Sequence, residues 1–310
     1  MTTSRYRADL PQQRELLLTD GGLETTLVFD QGMDLPDFAS FPLLDDEAGR
    51  AALLAYFSLY VDIARRNGTG IVLETPTWRA NADWGARLGY DAAALDAVNR
   101  AGVALLEEVR AGAPDVTVVI SGDIGPRGDG YVPGELMSAE EAADYHSAQI
   151  ATFADTAADL TTMLTANYVA EATGFVLAAQ RAGMPAVLSF TVETDGTLPS
   201  GDSLADAVRT VDEATDGYAL SFGINCAHPD HFAGVLSGDW VERVGLLRAN
   251  ASRMSHAELD EAEELDAGDP DELAAAYRSL RDAHPAIRVV GGCCGTDDRH
   301  VGAIATAVTA

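Results

Sequence analysis

Three observations make the sequence predict an α/β fold, a (β/α)8 TIM barrel. Eight short β-rich runs alternate with amphipathic helical stretches from one end to the other. Several of those runs are almost wholly apolar, as parallel strands covered on both faces are. No linker or composition break interrupts the 310 residues, so 1–310 reads as a single barrel domain. The competitor is an open doubly wound sheet with a Gly-rich phosphate loop after its first strand. The stretch DGGLE at 20–24 lacks the G-x-G-x-x-G spacing that such a loop needs.

In chain order the expected strands are 16–19, 70–75, 116–121, 160–165, 186–192, 218–225, 244–250 and 288–291. Helical apolar spacing covers 46–66 and stops at Asn67-Gly68. Ser138 with Glu141 fits a capping box ahead of a helix running to about Ala157. Asp269-Pro270 with Glu272 fits another.

Composition narrows the partners. The hydrophobic fraction of 47% and charged fraction of 22% are those of a globular chain. Forty-nine acidic against twenty basic residues give a net charge of −29, which repels nucleic acid and anionic lipid. No run approaches a membrane span. The first twenty residues hold no apolar signal core, so a cytoplasmic location is the default expectation.

Three cysteines are too few and too odd for a disulfide scaffold, but their placement carries chemistry. Cys226 ends the sixth run, and Cys293 and Cys294 follow the eighth. In a barrel all three sit at the C-terminal mouths of strands, where active sites are built. Neighbouring cysteines on a regular strand point to opposite faces. A sharp turn is therefore needed between them, and Gly291, Gly292 and Gly295 surround the pair. Three thiolates make a soft zinc site with an open fourth position, unless His228, His231 or His300 closes it. Zinc leads on spacing; a redox pair at Cys293–Cys294 and ordinary buried thiols stay open.

The motifs GGCCGT at 291–296, GINC at 223–226, DGGLET at 20–25 and GDIGPRG at 122–128 occur in an order that spans nearly the whole chain. Together they resemble the homocysteine S-methyltransferase family. The resemblance implies a barrel, a Zn2+ ion held by Cys226, Cys293 and Cys294, and methyl transfer to a zinc-bound thiol. Homocysteine is the leading acceptor, with methionine as product. It further implies that Asp20 helps hold the amino group of homocysteine, and that Glu74 and Thr75 line the amino-acid pocket. Asn225 is counted with the pocket, or else orients the Cys226 loop or caps its strand. Glu74 could instead pair with an arginine such as Arg79.

One departure stands out. Where the family places a carboxylate after strand four, this chain has Leu164, in MLTANY. Losing a charge-assisted hydrogen bond costs about 1.5–3 kcal/mol. Homocysteine preference should then weaken by roughly ten- to a hundredfold. Trp78, Trp84 and Tyr131 are candidates for an aromatic wall around a cationic methyl donor, while His146 reads as helix packing. The implied partners are a small thiol and a methyl donor, a sulfonium or an ammonium compound. A different thiol acceptor, a zinc hydrolase and a non-catalytic thiol or metal-binding redox protein are the alternatives.

Overall fold

Eight parallel strands pair in sequence order and close into a barrel. They are β1 (Leu17–Leu18), β2 (Gly70–Glu74), β3 (Val118–Ile124), β4 (Leu160–Ala166), β5 (Ala186–Phe190), β6 (Ser221–Asn225), β7 (Val244–Ala249) and β8 (Val289–Gly292). The short β1 closes the ring, with Leu17 and Leu18 in register with both β2 and β8. The computed structural model describes residues 4–262 and 264–310; Met1–Thr3, part of the expected 1–310 domain, and Glu263 lie outside the described residues. No helix among the described residues is long and apolar enough to cross a membrane.

The period-2 alternation of the strands sorts side chains into two layers. Leu17, Val72, Val119, Leu160, Leu164, Val187, Leu246 and Val289 form one cluster, with strands all round the barrel contributing. Their neighbours Leu18, Ile71, Leu73, Val118, Ile120, Leu188, Phe222, Leu247 and Val290 belong to the larger core against the helices. On this alternation Glu74, Asp123 and Arg248 share the inward face, each at the C-terminal end of its strand. The other end of the barrel is plugged by the N-terminal segment. There Asp159 accepts from the backbone N–H of Arg5 and Tyr6 and pairs with Arg110 at 2.9 Å, while Leu10 joins the inner cluster.

Strand edges differ from expectation where polar residues face inward. β3 begins at Val118 rather than Val116 and runs on to Ile124, because Ser121 and Asp123 continue the inward register. β6 starts only at Ser221. Tyr218 belongs to the preceding turn, its hydroxyl donating to Met184 O.

The helix caps follow the sequence closely. Asp46 accepts from Gly49 N at the head of the helix Glu47–Asn67, and Gly68 ends it in the left-handed region at φ 66°. The Ser138–Glu141 capping box opens the helix Ala139–Ala154, which stops short of Ala157. The second expected box is half formed. Asp269 accepts from the N–H of Asp271 and Glu272, but the Glu272 carboxylate turns away to Arg253 at 2.9 Å.

Candidate metal and substrate site

The site is built on the C-terminal ends of the strands. Cys226 follows β6 with φ at +52°, a conformation that costs a non-glycine residue about 1–2 kcal/mol. Its N–H donates to Arg248 O on β7 at 3.1 Å. Cys293 follows β8 and is fixed in the same way, donating to Ala249 O at 2.9 Å. The glycines around the pair do different jobs. Gly295 alone has a positive φ, +76°, and makes the turn. Gly292 makes room: a Cβ there would lie 1.9 Å from Thr296 Oγ1.

These turns bring three sulfurs together. Cys226 and Cys293 form a disulfide, and Cys294 is a free thiol whose Sγ lies 3.8 Å from that of Cys226. As a redox option the sequence offered Cys293 with Cys294, beside zinc held by all three cysteines. The structure instead pairs Cys226 with Cys293, which follow two different strands and whose Cα atoms lie 5.4 Å apart, within reach of a disulfide. All three Sγ atoms lie within 4.8 Å of one another, and among the described residues no other set of ligating side chains gathers so tightly. A tetrahedral ion with metal–sulfur bonds of about 2.3 Å spaces its ligands by about 3.8 Å. The reduced triad therefore suits a tetrahedral metal.

None of the three histidines considered as a fourth ligand joins the group. His228 caps the short helix Pro229–Phe232, accepting from Asp230 N. His231 Nε2 sits 3.0 Å from Arg253 O. His300 is held by Asp297 and by Ala267 O, each at 2.7 Å.

A cavity of about 380 Å³ opens above the sulfurs. It is lined by Cys226, Cys293 and Cys294, and by Asp20, Glu74, Thr75 and Asn225, the metal and pocket residues that the family resemblance implied. Trp78 and Tyr131 line it as well; Trp84 does not, being packed under Arg79, whose guanidinium lies 3.8 Å from its ring. Phe29 and Phe38 complete the aromatic part and gave no signal in the sequence. Leu164 lines the same space, so the position expected to lack a carboxylate does face the cavity.

This match in architecture is matched by kinship. The family model for homocysteine S-methyltransferase aligns with residues 17–308. The chain belongs to the homocysteine S-methyltransferase family. A curated member, homocysteine S-methyltransferase 3 of Arabidopsis thaliana, is 28% identical over 176 residues; the match spans 56% of this chain and 50% of the plant protein. The fold is shared with the homocysteine methyltransferase MmuM from Escherichia coli. Its oxidised form superposes with a TM-score of 0.74 at 22% identity, covering 95% of this chain and 97% of that one. Its metallated form gives 0.73 at 22% identity, covering 96% and 98%.

Within this family member the inward carboxylates are not arranged as the sequence suggested. Asp20 lies 2.8 Å from Arg248 Nη2, an ion pair buried at the floor of the cavity. Burial pushes the Asp20 carboxyl up, and Arg248 opposes that push. Glu74 does not pair with Arg79, which instead lies 3.7 Å from Asp129 and bonds Asp37 O. Burial pushes Glu74 up to about 7 despite Arg248, and raises Asp123 well above the carboxylate range with help from the charge of Glu74. Asp123 sits in the GDIGPRG motif, yet its side chain went unassigned. Arg248 was missed too, lying in a run read only as a strand. Both signals were present as charged residues at apolar strand ends.

The hydroxyl of Thr75 is already engaged, accepting from Asp123 N at 2.9 Å and meeting Thr77 Oγ1 at 2.6 Å. It ties β2 to β3. Asn225 ties β6 to β4: its Oδ1 accepts from Thr165 N at 2.9 Å, and its Nδ2 donates to Thr165 Oγ1 at 3.0 Å. Thr165 needs that support, since φ is +64° and the β4–β5 register shifts there. Asn225 Nδ2 also points at Cys293 Sγ, 3.9 Å away.

Behind the cysteines stands His256, which the sequence did not single out. It stacks on Tyr131 with centroids 4.0 Å apart, meets Glu193 at 3.1 Å and reaches Cys226 O at 3.1 Å. The Tyr131 hydroxyl in turn faces Cys294 Sγ at 3.9 Å. His146 is buried against Glu171 at 3.0 Å, as packing inside its helix bundle.

Proposed function

We propose that this chain, acting as one barrel domain over 1–310, moves a methyl group from a sulfonium or ammonium donor to a small thiol. Homocysteine is the leading acceptor. Cys226, Cys293 and Cys294, once reduced, would hold Zn2+, which supplies Lewis acidity that keeps an acceptor thiol deprotonated at neutral pH. The observation that carries the reading is the convergence of three sulfurs from two strand ends at the floor of an acidic, partly aromatic cavity.

The chain's own residues supply the rest. Trp78 and Tyr131 offer aromatic faces to a cationic donor. The carboxylates around them favour positive charge at the same place. Asn225 and His256 hold the loops that carry the cysteines, and the cavity sets the donor carbon against the acceptor sulfur. In the transfer a new S–CH3 bond forms as the donor's bond to that methyl breaks, its electron pair leaving on the donor heteroatom. The acceptor's proton departs before attack.

The test is a screen of reduced, zinc-loaded protein against homocysteine and other thiols, each with isotopically labelled sulfonium and ammonium donors, read by mass spectrometry. Labelled thioether and one zinc per chain are expected. In Cys294→Ser both should be lost while the circular dichroism spectrum persists. The disulfide Cys226–Cys293 is the observation that favours a redox protein instead. That reading wins if metal never binds and no donor yields a methylated thiol.

A further inference from the structure

Methyl transfer at this site carries a hazard that the protein's own sulfurs create. A thiolate is the nucleophile the reaction needs, and the reduced triad presents three of them beside the acceptor. A cysteine that took the methyl group would become an uncharged thioether and be lost as a thiolate ligand. Placement of the donor carbon supplies part of the selectivity. The pattern of hydrogen bonds to the three sulfurs supplies more.

Cys226 is buried, 5% exposed, and its Sγ meets only other sulfurs. Cys293 and Cys294 are part-exposed where they line the cavity. Among the described residues, these two sulfurs and not the third face a hydrogen-bond donor. The Tyr131 hydroxyl donates toward Cys294 Sγ at 3.9 Å and has no other partner there. Asn225 Nδ2 carries two N–H groups. It donates to Thr165 Oγ1 at 3.0 Å and toward Cys293 Sγ at 3.9 Å. Both donors are held from behind. The Tyr131 ring stacks on His256 at 4.0 Å, and its backbone N–H donates to Asp129 Oδ1 at 2.8 Å. Asn225 is anchored through Oδ1, which accepts from Thr165 N.

We infer that Tyr131 and Asn225 mask the two cysteine sulfurs that the cavity exposes, and so steer the methyl group to the acceptor thiol. A hydrogen bond to a thiolate is strengthened by its negative charge, and methylation cancels that charge. The bond therefore stabilises the unreacted cysteine more than the transition state for its methylation. Self-methylation slows by roughly tenfold for each donor. In that side reaction a bond forms between Cys294 Sγ and the methyl carbon, while the carbon–heteroatom bond breaks and its electron pair leaves with the donor. Cys226 needs no mask, because the protein around it already keeps the methyl group away. The purpose of the device rests on the methyl-transfer reading, but masking itself can be tested with an electrophile that needs no donor site.

The experiment exposes reduced, zinc-loaded protein to iodomethane with no acceptor thiol present, and follows methylation of each cysteine by peptide mass spectrometry. Tyr131→Phe keeps the ring and removes only the hydroxyl. In that variant Cys294 should be methylated roughly tenfold faster, with Cys226 and Cys293 at their wild-type rates. Asn225→Asp keeps an oxygen for Thr165 N, removes the N–H donor, and should quicken Cys293 alone. Cobalt-loaded Tyr131→Phe should show its sulfur-to-metal charge-transfer band at longer wavelength, a change that looser packing would not produce. If Asn225→Asp does not fold, Tyr131→Phe decides alone. An unchanged rate at Cys294 or an unmoved band in Tyr131→Phe overturns the inference. Faster methylation of all three cysteines together overturns it as well, since that marks a structural role. Wild-type protein that takes up no zinc ends both this inference and the metal reading. Protein that loads zinc but methylates no thiol from any donor ends the methyl-transfer reading, while the iodomethane rates still decide the masking.

Discussion

Glu74 shows how a single inward residue couples the site to stability. Its carboxyl is pushed by burial from an ordinary value of 4.5 up to about 7. Below about pH 4.5 it is protonated in both folded and unfolded chains and contributes nothing. As pH rises toward 7 the unfolded chain ionises first, so the folded state is progressively penalised, by an amount on the order of a few kcal/mol. Glu74→Gln should therefore unfold at higher denaturant than the wild type at pH 8 and at the same denaturant at pH 4. Urea titrations at the two pH values check this; an equal midpoint at pH 8 would mean that the carboxyl is not buried as described. The sequence marked Glu74 because it ends an apolar strand. It could not mark the partner. Arg79 is close in sequence, whereas the charge that Glu74 senses is on Arg248, brought near only when β7 closes into the ring.

At the scale of elements, the turn after β8 carries the most information per residue. Local signals were legible here and at the helix caps because they depend on neighbours in sequence: a glycine run, a Ser three residues before a Glu, an Asp before a Pro. Non-local ones were not. Asn225 supports the positive φ of Thr165 on β4, a strain that no local pattern announces. His256 reaches the Cys226 carbonyl from 30 residues further along the chain. The disulfide partner of Cys293 was misjudged for the same reason, since it comes from another strand. Gly292 gives the sharpest test at this scale. A methyl group there would collide with Thr296 Oγ1, which also donates to Cys293 O at 2.7 Å. Gly292→Ala should destabilise the protein by about 1–3 kcal/mol and lower zinc stoichiometry, by displacing the hydroxyl that holds the cysteine turn. Thermal unfolding with metal analysis reads both. Full zinc content in that variant would show that the turn tolerates repacking.

The whole molecule is strongly acidic, and the cavity shares that character. Eight acidic side chains and two arginines line it, within a chain of net charge −29. From sequence the charge spoke only against nucleic acid and anionic lipid, because position within the fold was not visible. The barrel puts part of it around the site: Asp129, Asp260 and Asp266 join the buried acids along one opening. A field of that sign, focused by a low-dielectric wall, attracts cations and speeds their arrival. A net-positive sulfonium donor should feel it, whereas a zwitterionic acceptor, with no net charge, should feel little. Salt separates the two. The screening length falls from about 10 Å at 0.1 M to about 3 Å at 1 M, so KM for a cationic donor should rise several-fold across that range while KM for homocysteine changes little. Steady-state kinetics at matched pH, with a neutral salt that does not bind zinc, provides the measurement. Parallel rises for donor and acceptor would point to a general effect of salt on the protein. A flat response for both would mean that the acidic lining does not select the donor, leaving the aromatic faces of Trp78 and Tyr131 to do so.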